Sequence, residues 1–507
     1  MSEAALNVAA VAAALGIVGL LAPLPLLRSE AQRAAALALT LASWGFLLAS
    51  LVPDGDTSAG IDRLSSPVNA GAAVAGLIVA LVVLAVGVRV VLARPTVWFV
   101  LLGLAAPIRI PVSIGSEDAN LLVPLYAVII LGLVAWTWGR IRGRIETPAP
   151  EGSPVLALPL AAFTAFLLVS TLWSADPTEA AKKASFFYVP FLLLYVLVVA
   201  WWPRGRALGA LAVTTIAGAT VAGAVGLYQY ATQELWWNET LQQANVYSRF
   251  FRVNGIFFDP NILGRYVAVG ILICLALAWV RRGRGELAAL AVAIVVMTGA
   301  LAVTFSRSSA LMLMLGLVML GARAVGVRRA AITGAAVLIV IGGAAVATSH
   351  NIRRAMTDSQ RLERVSEGRF DLMKGGLTIW REEPVAGAGL GGFETRFEET
   401  LTPVEQRRVR VVISHNSPIT VLSEGGVVGF ALFLALIGGA GWAVARGSRA
   451  QGGIGWARWT LASIIAGIAL HSLLYAALFE DPFLWIVAAA AVALARVAIP
   501  EPVPEDA

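Results

Sequence analysis

His415 and three arginines, Arg265, Arg307 and Arg369, are the residues whose types could do chemistry together. An imidazole can take a proton from a hydroxyl. A guanidinium can hold phosphate oxygens bidentately and stabilise charge that grows on a departing anion. His415 stands in Ser414-His415-Asn416-Ser417-Pro418, where polar sequence re-enters an apolar run. Ser417 is placed to cap the following helix, and Pro418 suits its first turn. The positive helix end then disfavours imidazolium and favours an anion nearby. The plainer alternative is an interfacial histidine that only caps a loop.

The other candidates carry similar double readings. Arg307 interrupts an apolar run from Leu287 to Leu320 that is too long for one membrane span, so it marks a turn, either as a phosphate ligand or as a snorkelling interface residue. Arg369 opens an expected helix to Glu382 with Phe370, Met373, Leu377 and Trp380 on one stripe. Pro384 ends that helix, and Gly387, Gly389, Gly391 and Gly392 then permit close backbone approach. Asp259 and Asn261 flank Pro260 and can cap a span beginning near Ile262, with Arg265 one turn inside. Glu424 lies about two turns into an apolar segment, where an ionisable side chain is costly and is functional or ion-paired. Asp54 and Asp56 have a spacing that could hold a divalent cation, although such a pair is more often solvated. His471, inside a span, reads as a satisfied structural histidine. With one cysteine, Cys274, and three widely separated histidines, no disulfide within the chain and no zinc site is expected.

These residues must be positioned by membrane helices. Apolar residues are 58% of the chain, charged residues 14%, and the mean hydropathy is +0.80, against about 25% charged residues in a soluble globular protein. Runs such as Ala70 to Val88 lack the alternation of a β-barrel. The expected fold is an all-α polytopic membrane bundle of 12 to 15 spans, with Thr96–Pro107 and Ala310–Ala322 short enough to be half-spans. The expected organisation is an N-terminal bundle over residues 1–348, a large external loop over 349–415 and C-terminal spans over 416–507. With the N-terminus outside, about seventeen basic residues fall in the inner short loops and about eight in the outer ones. Short basic loops stay in the cytoplasm, so the large loop is expected to face outward. Asp54 and Asp56, the segment ending in Asp259-Pro260-Asn261, the Ser306-Arg307-Ser308 turn and Glu480-Asp481-Pro482 then share that side.

The order and spacing of Asp259-Pro260-Asn261, Ser306-Arg307-Ser308, Arg369 with Trp380, Pro384, Gly387, Gly389, Gly391 and Phe393, then His415-Asn416 and Glu424-Gly425 with Gly429 resemble the O-antigen ligase and polymerase superfamily. The resemblance runs from about Asn254 to Phe430. It implies a metal-independent, inverting glycosyltransferase of the bacterial inner membrane, with no cofactor. The donor would be a glycan on polyprenyl (undecaprenyl) diphosphate, and the acceptor a sugar hydroxyl on lipid A-core or on another lipid-linked glycan. The resemblance gives Arg307 and Arg369 the diphosphate and His415 the role of base or of orienting the acceptor hydroxyl, with Asn416 and Glu424 in support. Asp259, Asn261 and Arg265 are expected at the substrate. No nucleic-acid partner is implied. A transporter of a small anion or solute is the reading from another class. It would place charges mid-span near discontinuous helices, whereas most candidates here lie at one surface. A metal-dependent transferase using Asp54 and Asp56 is a third.

Overall fold

The computed structural model describes residues 3–21, 30–51, 67–114, 117–143, 154–201, 206–248, 250–281, 283–348, 369–401, 414–447, 452–475 and 478–495. Asp54, Asp56 and residues 349–368 and 402–413 of the large loop lie outside them. The chain is a polytopic all-α membrane protein. Twelve helices among the described residues are long and apolar enough to cross a membrane, within the expected range. In chain order the helices are α1 (Glu3–Leu21), α2 (Glu30–Ser50), α3 (Pro67–Ala93), α4 (Thr96–Ala105), α5 (Val123–Ile141), α6 (Pro154–Val169), α7 (Pro177–Lys183), α8 (Val189–Ala200), α9 (Arg206–Thr232), α10 (Glu239–Tyr247), α11 (Pro260–Val280), α12 (Arg284–Thr304), α13 (Arg307–Val325) and α14 (Val327–Thr348). They continue with α15 (Arg369–Glu382), α16 (Phe393–Glu399), α17 (Ser417–Gly447), α18 (Gly452–Ser472) and α19 (Pro482–Ala495). An antiparallel hairpin, β1 (Ile110–Ile114) with β2 (Glu117–Leu121), pairs Ile110 with Leu121 and Ile114 with Glu117 between α4 and α5. Apolar pattern could not announce it, because it lies outside the spans.

Two spans differ from expectation. The segment read as a half-span, Ala310–Ala322, belongs to the nineteen-residue α13. Its helix starts at Arg307 because Ser306 caps it, so both end arginines fall inside the helix although hydropathy excludes them. The span expected from Phe186 starts earlier, at Pro177. A π-helical turn over Ala184–Tyr188 joins α7 to α8 and carries Lys182 and Lys183 into the bundle.

The centre of the bundle is α8, in which every residue from Val189 to Ala200 is buried. It packs on α19, while α11 packs against α9, α12, α13 and α18. Small residues set these distances, as expected where no water drives helices together. At Gly264 a Cβ would sit 2.6 Å from Ser309 Oγ and 3.2 Å from Ser306 Cβ. Glycine there lets the start of α11 touch the start of α13, which brings two of the motif segments into register.

Candidate active site

The motif segments meet at one end of the bundle, each delivered by a helix terminus. Asp259 caps α11, its carboxylate accepting from the Asn261 amide at 2.6 Å. The loop before it is pinned twice: the Gln229 side chain exchanges bonds with the Gly255 amide (2.8 Å) and carbonyl (3.0 Å), and Trp237 Nε1 donates to the Phe257 carbonyl at 3.1 Å. The Asn261 side chain is therefore spared from capping. Its Oδ1 accepts from Ser306 Oγ at 2.8 Å and from Arg252 Nη2 at 3.4 Å.

The expected turn at Arg307 is a junction between two helices. Phe305 closes α12 in the left-handed region (φ 52°), and Ser306 caps α13 by accepting from the Ser309 amide at 3.3 Å. Ser306 Oγ lies 2.8 Å from Ser309 Oγ and 3.2 Å from Ser308 Oγ. Arg307 is exposed between these buried serines.

His471 is not an isolated core histidine. Its Nε2 lies 3.1 Å from Ser308 Oγ, and it is fully buried. Immediately after α18, the Leu473 carbonyl accepts from Asn416 Nδ2 at 3.0 Å and the Leu474 carbonyl accepts from Arg369 Nη1 at 3.1 Å. The Tyr475 hydroxyl donates to Asp259 Oδ2 at 3.1 Å. The Tyr475 ring is 6.5 Å from the His415 ring and 5.5 Å from the His471 ring. Burial, reinforced by the Asp259 carboxylate, holds the Tyr475 phenol well above its ordinary value, so it stays a donor.

His415 itself adopts a left-handed backbone (φ 56°), which costs a non-glycine residue about 1–3 kcal/mol and persists only where neighbours fix it. Ser414 Oγ donates to the Asn416 carbonyl at 2.8 Å and accepts from its amide at 3.1 Å, fixing the peptides on both sides. The cap of α17 is Asn416, whose Oδ1 accepts from the Ile419 amide at 3.0 Å, and not Ser417 as the sequence suggested. Ser417 is already the first helical residue, so His415 sits one position closer to the cap than expected.

Arg369 opens α15 as expected, but the buried face of that helix runs through Gly376 and Ile379, with Phe370 exposed. Phe393 and Phe397 of α16 complete a small separate core with Ile379 and Ala388, so side chains from outside α15 select the face that is covered. Gly387, Gly389 and Gly391 all have positive φ, as the glycine-rich turn anticipated. The turn inserts into α17 where Gly426 breaks the helix (φ 58°, ψ −161°). Ala388 and Gly389 amides donate to the Ser423 and Glu424 carbonyls at 2.9 Å each. The Val427 and Val428 amides, which would have filled those carbonyls, donate instead to Pro384 (2.9 Å) and Val385 (3.3 Å). The broken helix loses no backbone partner at these four positions.

Two candidates fall in a neighbouring charged cluster. Glu424 Oε1 accepts from Lys183 Nζ at 2.9 Å, both largely buried, so its ion-pair partner is a lysine of α7. Arg265 Nε is paired with Asp481 Oδ2 at 2.9 Å, both buried. Burial raises the Glu480 carboxyl above the usual carboxylate range, opposed by Lys183 and Arg109. Sequence reasoning missed Lys183, Asp481, Tyr475 and Ser308 as partners; only the run Glu480-Asp481 ahead of a helix was visible. Below this end, a cavity of about 200 Å³ lies among α9, α11, α18 and α19, lined by residues such as Leu208, Leu211, Ile273, Leu277, Trp456 and Phe483. A small pocket whose lining includes Arg109, Arg265 and Asp481 shares Val269 and Phe483 with it.

A helical membrane bundle with arginine, histidine and carboxylate motifs gathered at one end defines the class. Residues 292–434 match the family model described as O-antigen ligase (Wzy_C). The match supports the resemblance to the O-antigen ligase and polymerase superfamily, and with it an O-antigen-ligase type of function. It spans Arg307, Arg369, His415, Asn416 and Glu424, whereas Asp259, Asn261, Arg265, His471 and Tyr475 lie outside it. Among curated proteins, none matches the chain.

Proposed function

We propose that this protein is a glycosyltransferase that moves a glycan from polyprenyl diphosphate to a sugar hydroxyl on the outer face of the bacterial inner membrane. The observation that supports it most is the meeting of the Asp259, Ser306, Arg369 and His415 segments around His471–Tyr475, all four at the N-terminal ends of helices. One ring nitrogen of His415 accepts the proton of the acceptor hydroxyl as its oxygen attacks the anomeric carbon. The bond from that carbon to the diphosphate oxygen breaks with inversion, and the electron pair leaves on polyprenyl diphosphate. Arg307 and Arg369 face the charge that grows there. Asn416 holds His415 at the start of α17, and Asp259 and Asn261 fix the start of α11. Arg265 borders the diphosphate while tied to Asp481, and Glu424 supports the site through Lys183. The apolar cavity among α9, α11, α18 and α19 is a place for isoprene units. The chemistry asks for neither a nucleotide nor a metal.

The test is transfer by purified protein from a polyprenyl-diphosphate glycan, with EDTA present, comparing wild type with Arg307→Ala and Arg369→Ala. Transfer by the wild type that both variants lose while remaining folded is the expected result. Undiminished transfer in both overturns this mechanism, and loss in EDTA alone moves the chemistry to Asp54 and Asp56.

A further inference from the structure

The three residues that follow α18 touch three different motif segments in succession. Leu473 takes Asn416, Leu474 takes Arg369 and Tyr475 takes Asp259, at 3.0, 3.1 and 3.1 Å. One turn earlier, His471 takes Ser308 at 3.1 Å. No other segment described here binds all four. Its bonds to Asn416 and Arg369 use main-chain carbonyls, so side-chain identity at 473 and 474 matters little to them. Tyr475 and His471 are different, because there the side chain makes the bond.

We infer that Tyr475 is a positioning residue of the site, a strut that ties Asp259 at the start of α11 to the His415 and His471 rings; this rests on the transferase reading given above. Three features require such a strut. His415 has a left-handed backbone, and the Ser414 hydroxyl holds the Asn416 amide and carbonyl beside it, so the ring is carried on a fixed stem. The Tyr475 ring neighbours both imidazoles, tilted 49° to His415 and edge-on at 69° to His471. Its hydroxyl bond to Asp259 stops the ring from rotating away. Bonded to Asp259 and in ring contact with His415, Tyr475 links the helix that carries Asn261 to the one that follows His415. Displacing a catalytic group by about 1 Å can cost on the order of a hundredfold in rate, and a single hydrogen bond is a proportionate share of that.

Tyr475→Phe removes only the oxygen. The expected result is a fall in kcat of about tenfold with the donor KM within about twofold and an unchanged unfolding midpoint in detergent. Asp259→Asn should lower kcat as well, and the double variant should be little worse than the worse single one, since both break the same bond. A readout that needs no activity is the imidazole nitrogen spectrum of protein carrying labelled histidine, which has only three such residues. Tyr475→Phe should move the His415 and His471 signals, assigned through His415→Ala and His471→Gln. Unmoved signals overturn the strut whether or not transfer is detected. Moved signals with kcat untouched also overturn it, as does a loss of kcat matched by a fall in the unfolding midpoint. Failure of the transferase reading looks different: His415→Ala then transfers as well as wild type, while the signals still respond to Tyr475→Phe.

Discussion

Two polar clusters share the loop between α18 and α19, and they are built on opposite principles. At Leu473–Tyr475 the contacts are single hydrogen bonds, two accepted by main-chain carbonyls and one donated by a phenol to the Asp259 carboxylate, with Arg307 exposed and Arg369 half-buried. At Glu480–Asp481 the contacts are buried ion pairs, Arg265 with Asp481, and beside it Lys183 with Glu424. In the first cluster, the Arg369 guanidinium is held by a main-chain carbonyl. In the second, cations are neutralised by carboxylates of the protein itself. A guanidinium already bonded to a carboxylate offers less to a phosphate, so the buried Arg265–Asp481 pair suits architecture.

The comparison breaks most easily at His415. His415→Ala is expected to lower transfer about a thousandfold, within the range for losing a general base, with the helices intact by circular dichroism. If the variant keeps even a tenth of wild-type transfer, the first cluster is not where the proton moves. Lys183→Met should act on stability instead. It strands the buried Glu424 carboxylate and is expected to cost about 3–5 kcal/mol, most of it restored by adding Glu424→Gln. A double variant no better than Lys183→Met would mean that the pair is not the unit described here.

A smaller effect concerns the turn that patches α17. At Gly389, φ is +79° and a Cβ would lie 2.5 Å from Ser174 Cα and 2.7 Å from the Ser170 carbonyl. Gly389→Ala is expected to cost about 3 kcal/mol, from backbone strain and overpacking together, whereas Gly438→Ala, with nothing within 4 Å of its Cβ, should be close to neutral. Equal unfolding midpoints for these two variants would refute the patch. The smallest effect is pH dependence at Glu480. Its carboxyl is raised above the ordinary value, so the proton binds more tightly in the folded protein. The stability this brings is complete below the ordinary carboxylate pKa, about 4, and is lost as pH rises through the raised value. Glu480→Gln should therefore flatten the dependence of unfolding on pH between about 4 and the raised value, and parallel curves for variant and wild type would count against it.

Much of the site was legible along the chain because helix termini leave local signatures. Asp259 before Pro260, Ser306 before Arg307, and the glycines after Pro384 each follow from backbone rules that operate over a few residues. The capping of α17 was misplaced by one residue because Asn416 and Ser417 are both good caps, and the choice depends on where Ser414 directs the loop. The buried face of α15 was misjudged because Phe393 and Phe397, from another helix, decide it.

By itself, the sequence determined that this is a bundle of membrane helices and which segments carry charge where apolar chain should be. Hydropathy and capping are properties of neighbouring residues, so they can be read in order. Only the tertiary structure decided which charges neutralise one another and which stay exposed. Lys183 and Glu424, Arg265 and Asp481, and Asp259 and Tyr475 are each separated by about two hundred residues or more. Nothing local pairs them; the packing of separate helices around the buried α8 does.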